Sequence, residues 1–190
     1  MEWKNYYKEW SAKDYDRHIQ AWKGFCHRIR RYTPEGGNIL EVGFGSGQMS
    51  IYMSKGGYRC IGIDIEPQNV MRAKRLNDKV GGSALFLWGD VFLDSFAPDS
   101  FDTSFSQGLL EHFEDEKILN IIEAQFNLSD VVAFSIPLDK YGRKNFGDER
   151  LLPVGHWKEL ISNYNILYFE EFAKGQQLMA IIERSKEDEL

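Results

Sequence analysis

From residue 39 to residue 137 the chain alternates short apolar runs with longer segments whose apolar residues recur every three or four positions. The runs are Ile39–Val42, Tyr58–Asp64, Ala84–Trp88, Phe101–Gln107 and Val131–Ile136. Runs of this length predict strands, and runs without polar alternation predict strands buried on both faces. Between them, Gln48–Lys55, Pro67–Val80 and Phe113–Leu128 keep helical spacing, the last with Ile118, Ile121, Ile122 and Gln125 on one stripe. Gly56-Gly57 and Gly81-Gly82 are helix stops, and Pro67 stands where a first helical turn accepts proline. Strand and helix in strict alternation predict an α/β chain with a parallel sheet and helices on both faces.

The flanks extend this pattern. Trp3, Tyr6, Tyr7 and Trp10 fall at i, i+3, i+4 and i+7, one face of a helix. A second helix, capped by Ser11 or Asp14, keeps Tyr15, Ile19, Trp22, Cys26 and Ile29 on a single face and stops at Thr33-Pro34-Glu35-Gly36-Gly37. These aromatics would pack the helices onto the sheet. Tyr6, Tyr7 and Tyr15, with a hydroxyl each, suit a wet pocket wall better than the others. Beyond Pro137, residues 138–153 are irregular and Val154–Ser162 is a short helix. Asn165–Phe172 and Gln177–Glu183 then read as two more strands, joined by Ala173-Lys174-Gly175-Gln176. That makes seven strands.

The first strand runs straight into a glycine turn, Glu41-Val42-Gly43-Phe44-Gly45-Ser46-Gly47. Such a turn brings backbone N–H groups close to a ligand that side chains would keep away. A dinucleotide fingerprint spaces its glycines as G-x-G-x-x-G. Here the third dinucleotide position holds Gln48, and Glu41 would repel a pyrophosphate. Asp64 ends the second run 17 residues after Gly47, where an acid accepts hydrogen bonds from ribose hydroxyls. Asp90 follows the third run. In a parallel sheet the ligand sits outside the strand carboxyl ends, so one site can collect Glu41, Asp64, Asp90 and Gln107.

The E-x-G-x-G-x-G of Glu41–Gly47, the acids Asp64 and Asp90, and the segment Gly108-Leu109-Leu110-Glu111-His112-Phe113 resemble, in order and spacing, the motifs of class I S-adenosylmethionine-dependent methyltransferases. The resemblance covers roughly Gly36 to Pro137. It implies a three-layer Rossmann-like methyltransferase fold: a seven-stranded, mostly parallel sheet with an antiparallel last strand and an N-terminal helical lid. One domain would fill residues 1–190, with a helical cap (1–33) and a cofactor-binding core (36–137). An acceptor-side loop and helix (138–163) and the final two strands (164–184) would complete it. By this resemblance Glu41, Gly43, Gly45, Ser46 and Gly47 hold the methionine part of S-adenosyl-L-methionine. Asp64 and Ile65 lie at the ribose, Asp90 and the N–H of Val91 meet the adenine, and Gln107 closes the site near the sulfonium. The cofactor carries an ammonium and a sulfonium and no phosphate, so a rim of acids suits it.

At 190 residues, 43% apolar and 14% aromatic, the chain can bury a core and is not disordered. The absence of an apolar stretch near 18 residues predicts no membrane span, and the N-terminus has no secretory h-region. Cys26 and Cys60 read as buried free thiols of a reducing, cytoplasmic compartment. The final Lys186-Glu187-Asp188-Glu189-Leu190 is similar to an endoplasmic-reticulum retention signal, but without a secretory h-region it reads as a solvated charged tail. Net charge is −6, yet residues 1–32 hold eight Lys or Arg against four Asp or Glu. The rest is thus acidic and a poor match for nucleic acid.

Methyl transfer needs a base only when the acceptor must lose a proton. Candidates are His112, His156 and Tyr141; a structural role or an acceptor contact is the competing reading for His112, and a plain helix-face histidine for His156. Lys140, Arg143, Lys144 and Arg150, among Tyr141 and Phe146, could hold an anionic small-molecule acceptor, or be solvated loop charges. No metal site is expected, since His112 with Glu111, Glu114 and Asp115 lacks a second histidine at ligand spacing. Phosphate-loop and nucleophile-elbow motifs are absent from the sequence. The expectation is methyl transfer to an O or N atom of a small molecule. A non-catalytic cofactor-binding module and a nicotinamide-dependent oxidoreductase are the alternatives, and the oligomeric state is not predicted.

Overall fold

The structure, a computed structural model, describes residues 11–93, 96–144 and 148–185. The predicted first helix over Trp3–Trp10, Phe146 and the charged tail lie outside the described residues. The strands are β1 (Asn38–Val42), β2 (Arg59–Asp64), β3 (Leu85–Trp88), β4 (Phe101–Gln107), β5 (Ser129–Pro137), β6 (Asn165–Phe172) and β7 (Gln177–Glu183). The helices are α1 (Ala12–Arg31), α2 (Gln48–Lys55), α3 (Pro67–Val80), α4 (Asp115–Phe126) and α5 (Val154–Leu160).

The seven strands form one sheet in the order β3-β2-β1-β4-β5-β7-β6. β3, β2, β1, β4 and β5 are parallel, while β7 runs antiparallel to both of its neighbours. The reason for the reversal is local. Ala173–Gln176 is too short for a crossover, and its residues Ala173, Lys174 and Gly175 take positive φ of 49°, 60° and 76°, so β6 and β7 close as a hairpin. Strand order reverses between β1 and β4, which opens a crevice at their carboxyl ends.

Ser11 caps α1. Its hydroxyl accepts from the Asp14 N–H at 3.2 Å, and the Asp14 carboxylate accepts back from the Ser11 N–H at 3.1 Å. The apolar face of α1 buries Phe25, Cys26 and Ile29 completely, and Phe25 meets Phe105 of β4 edge-on at 6.0 Å between ring centroids. Tyr15 corrects an expectation: it stands in the core rather than on a wet pocket wall, 5% exposed, with the Lys55 ammonium 5.8 Å from its ring centroid. Burial pushes its phenol up to about 12. Cys26 and Cys60 are free and buried, and loss of hydration raises both thiols, Cys26 to about 12.

The opposite face of the sheet carries α4 and α5. Trp157 of α5 is fully buried, 6.0 Å from the Phe134 ring of β5, among Leu110, Ile118 and Ile136. Removing a buried indole typically costs about 3–5 kcal/mol. Urea unfolding of Trp157→Ala is expected to show that loss, with cofactor affinity little changed; a loss below about 1 kcal/mol would mean that α5 is not docked as described. Near β3 the face is open: Phe86 is 1% exposed under α3, while Leu85 and Leu87, on the alternate side, are 62% and 41% exposed. The predicted start of α4 at Phe113 shifts to Asp115, because Leu110–His112 first close a 3₁₀ turn.

Candidate cofactor-binding site

The turn after β1 works because Gly43, Gly45 and Gly47 all take positive φ of 66°, 52° and 69°. The residues between them anchor it. The Phe44 ring packs on Phe86 at 4.8 Å, in the space left by Gly62, where a Cβ would come within 2.8 Å of Phe44 and 2.9 Å of Phe86. Gly43 donates its N–H to the Ile63 carbonyl at 2.9 Å, which ties the turn to β2.

Asp64, at the end of β2, braces the same turn. Its Oδ2 accepts from the Gly45 N–H at 2.8 Å and its Oδ1 from the Glu66 N–H at 2.8 Å. The Asn69 amide of α3 reaches both oxygens at 3.3 Å. Burial raises the Asp64 carboxyl above its usual range, with the backbone and amide donors opposing the shift. At the end of β3, Gly89 donates to the Asp64 carbonyl at 3.0 Å, and Asp90 accepts from the Phe92 N–H at 3.0 Å, which fixes its carboxylate.

A cavity of about 170 Å³ lies at these strand tips. Of the residues expected at the site, Gly43, Gly45, Asp64, Ile65, Asp90 and Val91 line it. Glu41, Ser46, Gly47 and Gln107 do not. Gly47 packs under Phe86 and Ala73, and Gly108 and Leu109 hold the wall beside Gln107. Glu41 lies behind the turn, 3% exposed, accepting from the N–H and hydroxyl of Ser50. Burial pushes its carboxyl up to about 7, and the Ser50 bonds pull the other way. A carboxyl raised above its unfolded value contributes stability that is complete below about 4.5 and lost as pH rises through about 7. Relative to Glu41→Gln, the wild-type chain should therefore lose roughly 3 kcal/mol between pH 5 and pH 8 in urea unfolding. A constant difference across that range would refute it.

Lys117 and Asn69 are wall residues that sequence reasoning missed. Lys117 had a signal, since Phe113, Lys117 and Ile121 stand four apart in the sequence, at helical spacing, and all three line the cavity. Its ammonium sits 3.8 Å from the Phe92 ring centroid, over another wall residue.

The three base candidates stand elsewhere. The His112 side chain is 3% exposed, with Nδ1 2.7 Å from Asp148 Oδ1 and Nε2 3.9 Å from Glu111. His156 pairs through Nε2 with Asp115 at 3.0 Å. The Tyr141 hydroxyl accepts from Arg143 at 3.1 Å. None of the three lines the cavity. Arg150, a candidate for an anionic acceptor or a solvated loop charge, is committed within the fold: it donates to the Phe113 carbonyl at 2.7 Å and pairs with Asp115 at 2.9 Å and Glu114 at 3.4 Å. Its N–H also bonds the Glu111 carbonyl at 2.7 Å, so it stitches the loop after β5 to the rim of the site. Among the described residues no group of three or more His, Cys, Asp or Glu converges as metal ligands, and no helix is long and apolar enough to cross a membrane.

A Rossmann-like sheet with a glycine turn after β1 and acids at successive strand tips defines a nucleoside-binding α/β protein. The family described as Methyltransferase domain matches residues 39–128. The PH0226 protein from Pyrococcus horikoshii OT3 superposes with a TM-score of 0.75 at 15% identity, over 95% of each chain. Magnesium protoporphyrin IX methyltransferase from Synechocystis PCC 6803, solved with bound S-adenosylhomocysteine, gives 0.73 at 16% identity, over 94% of this chain and 90% of that one. A TehB-like S-adenosylmethionine-dependent methyltransferase from Corynebacterium glutamicum ATCC 13032 gives 0.62 at 19% identity, over 92% and 100%. At such identities the likeness is one of fold. Comparison with curated proteins finds no match. The chain thus carries a match to the Methyltransferase domain family over residues 39–128 and the fold of solved S-adenosylmethionine-dependent methyltransferases.

Proposed function

We propose that the protein is an S-adenosylmethionine-dependent methyltransferase that passes the methyl group to an O or N atom of a small molecule, and that the cavity at the tips of β1, β2 and β3 holds the cofactor. The observation that carries the reading is the convergence of Gly43, Gly45, Asp64, Asp90 and Val91 on one cavity. The donor set fits the group: carboxylates suit a ligand rich in N–H, O–H and positive charge, and they repel a diphosphate. Asp64 would take the ribose hydroxyls, Asp90 and the Val91 N–H the adenine, and the glycine turn the amino-acid part. When bound, the cofactor supplies an electrophilic methyl on a sulfonium.

The protein's own contribution is then mostly orientation. Asp64 is locked by three donors and Asp90 by the Phe92 N–H, so both are set before a ligand arrives. The polar side chains on the wall are Asp64, Asn69, Asp90 and Lys117. His112, held by Asp148, is proposed to fix the loop after β5, on whose side the acceptor would enter. With Arg150 committed to Glu114 and Asp115, an anionic acceptor would draw on Lys140, Arg143 or Lys144 of the same loop instead.

Titration calorimetry with S-adenosylhomocysteine, S-adenosylmethionine and NAD tests the cofactor assignment. Binding of the first two and not the third is expected; tight NAD binding alone would overturn it. An acceptor screen read by S-adenosylhomocysteine release then tests transfer. Cofactor binding without release from any acceptor would favour a non-catalytic module.

A further inference from the structure

Among the described residues that line the cavity, Asn69 is the one with a buried side-chain polar atom that has no partner. It lies on the first turn of α3, is 1% exposed and lines the cavity. Its Nδ2 makes two long bonds of 3.3 Å to the two oxygens of Asp64. Its carbonyl oxygen, Oδ1, has no partner and no exposure to water. A buried amide with one end unmet is unfavourable and calls for an explanation. A leucine of the same size would fill the place without that cost.

The carboxylate beside it is crowded. Each Asp64 oxygen already accepts one short backbone bond, at 2.8 Å, and shares the Asn69 amide at a longer distance. With the Asn69 contact in place, little lone-pair capacity is left for a vicinal diol. The two weak bonds are the ones a ligand can displace. A ribose hydroxyl that donates to Asp64 leaves its own oxygen as an acceptor, and an amide turned aside from the carboxylate can donate to it.

We propose that Asn69 is a second ribose-binding residue, which holds the Asp64 carboxylate until the diol arrives and then turns its amide onto the hydroxyls. The inference rests on the cofactor reading above and deepens it. Asp64 and Asn69 would together require an unsubstituted diol and reject a ribose phosphate.

The test is a cycle between protein and ligand. Calorimetry is run on wild type, Asn69→Leu and Asn69→Ser with S-adenosylhomocysteine and with its 2′-deoxy and 3′-deoxy analogues. Asn69→Leu should weaken S-adenosylhomocysteine binding about tenfold, the value of one such hydrogen bond made or lost. One of the two deoxy analogues should bind Asn69→Leu nearly as well as wild type, because the hydroxyl that Asn69 serves is gone. Equal weakening for all three ligands would reduce Asn69 to a support for Asp64 and overturn the proposal, as would unchanged affinity. Thermal unfolding of both variants checks that the fold is kept, and Asn69→Ser supplies the same comparison should the leucine misfold. Failure of wild type to bind S-adenosylhomocysteine at all would sink the cofactor reading itself, and this inference with it.

Discussion

Asp64→Ala is expected to weaken S-adenosylhomocysteine binding by about a hundredfold or more in calorimetry. Two losses add. The variant removes the charged acceptor for a ribose diol, and hydrogen bonds to a charged group contribute about 1.5–3 kcal/mol each. It also frees the Gly45 N–H, so the glycine turn loses the contact that holds its middle in place. The melting temperature should fall too, because the Gly45 and Glu66 N–H groups lose a buried acceptor, at roughly 1–3 kcal/mol for such a group. Unfolding should stay cooperative. Asp64→Asn, which keeps the shape and one carbonyl acceptor, should fall between the two. Wild-type affinity in Asp64→Ala would remove the carboxylate from the site.

The second large effect is expected at Gly47, and it concerns packing. A Cβ there would lie 2.5 Å from the Phe86 ring and 3.0 Å from the Ala73 Cβ, at a φ of +69°. The left-handed conformation costs an alanine about 1–2 kcal/mol, and overpacking adds about 1–3 kcal/mol. Gly81 is the control. It has the same φ of +69°, but nothing lies within 4 Å of its would-be Cβ. Urea unfolding of Gly47→Ala and Gly81→Ala should therefore differ by the packing part alone, with Gly47→Ala the worse. Equal losses would mean that α2 can move off Phe86 and that the turn is not held as described.

Both predictions show where reading along the chain stopped. Gly47 looked like a member of the ligand-binding turn because it shares the alternate spacing of Gly43 and Gly45. Its neighbours Phe86 and Ala73 are far away in the chain, so no local pattern marks it as a packing glycine. Glu41 is a similar case: an acid before the turn is visible, but its burial against Ser50 is not. Tyr15 kept its helical face as expected, yet the face was core. Arg150 read as a loop cation, either for an anionic acceptor or for solvent, and only the approach of Glu114, Asp115 and the Phe113 carbonyl shows it committed. Asn69 left no signal, because an amide on a helix's first turn is ordinary until its carbonyl is seen to lack a partner.

What the chain's own order determined was the sequence of elements, the parallel core of the sheet and the acids at the tips of β1, β2 and β3. Those follow from apolar runs, glycine and proline stops and the position of each acid relative to its strand, all of which are local. Tertiary structure alone decided which of those acids meet the cavity and which side chains are consumed by the protein itself. The physical reason is that burial and hydrogen-bond partners come from other elements of the fold: Ser50 of α2 for Glu41, Gly45 of the turn after β1 for Asp64, Asp148 of the loop after β5 for His112.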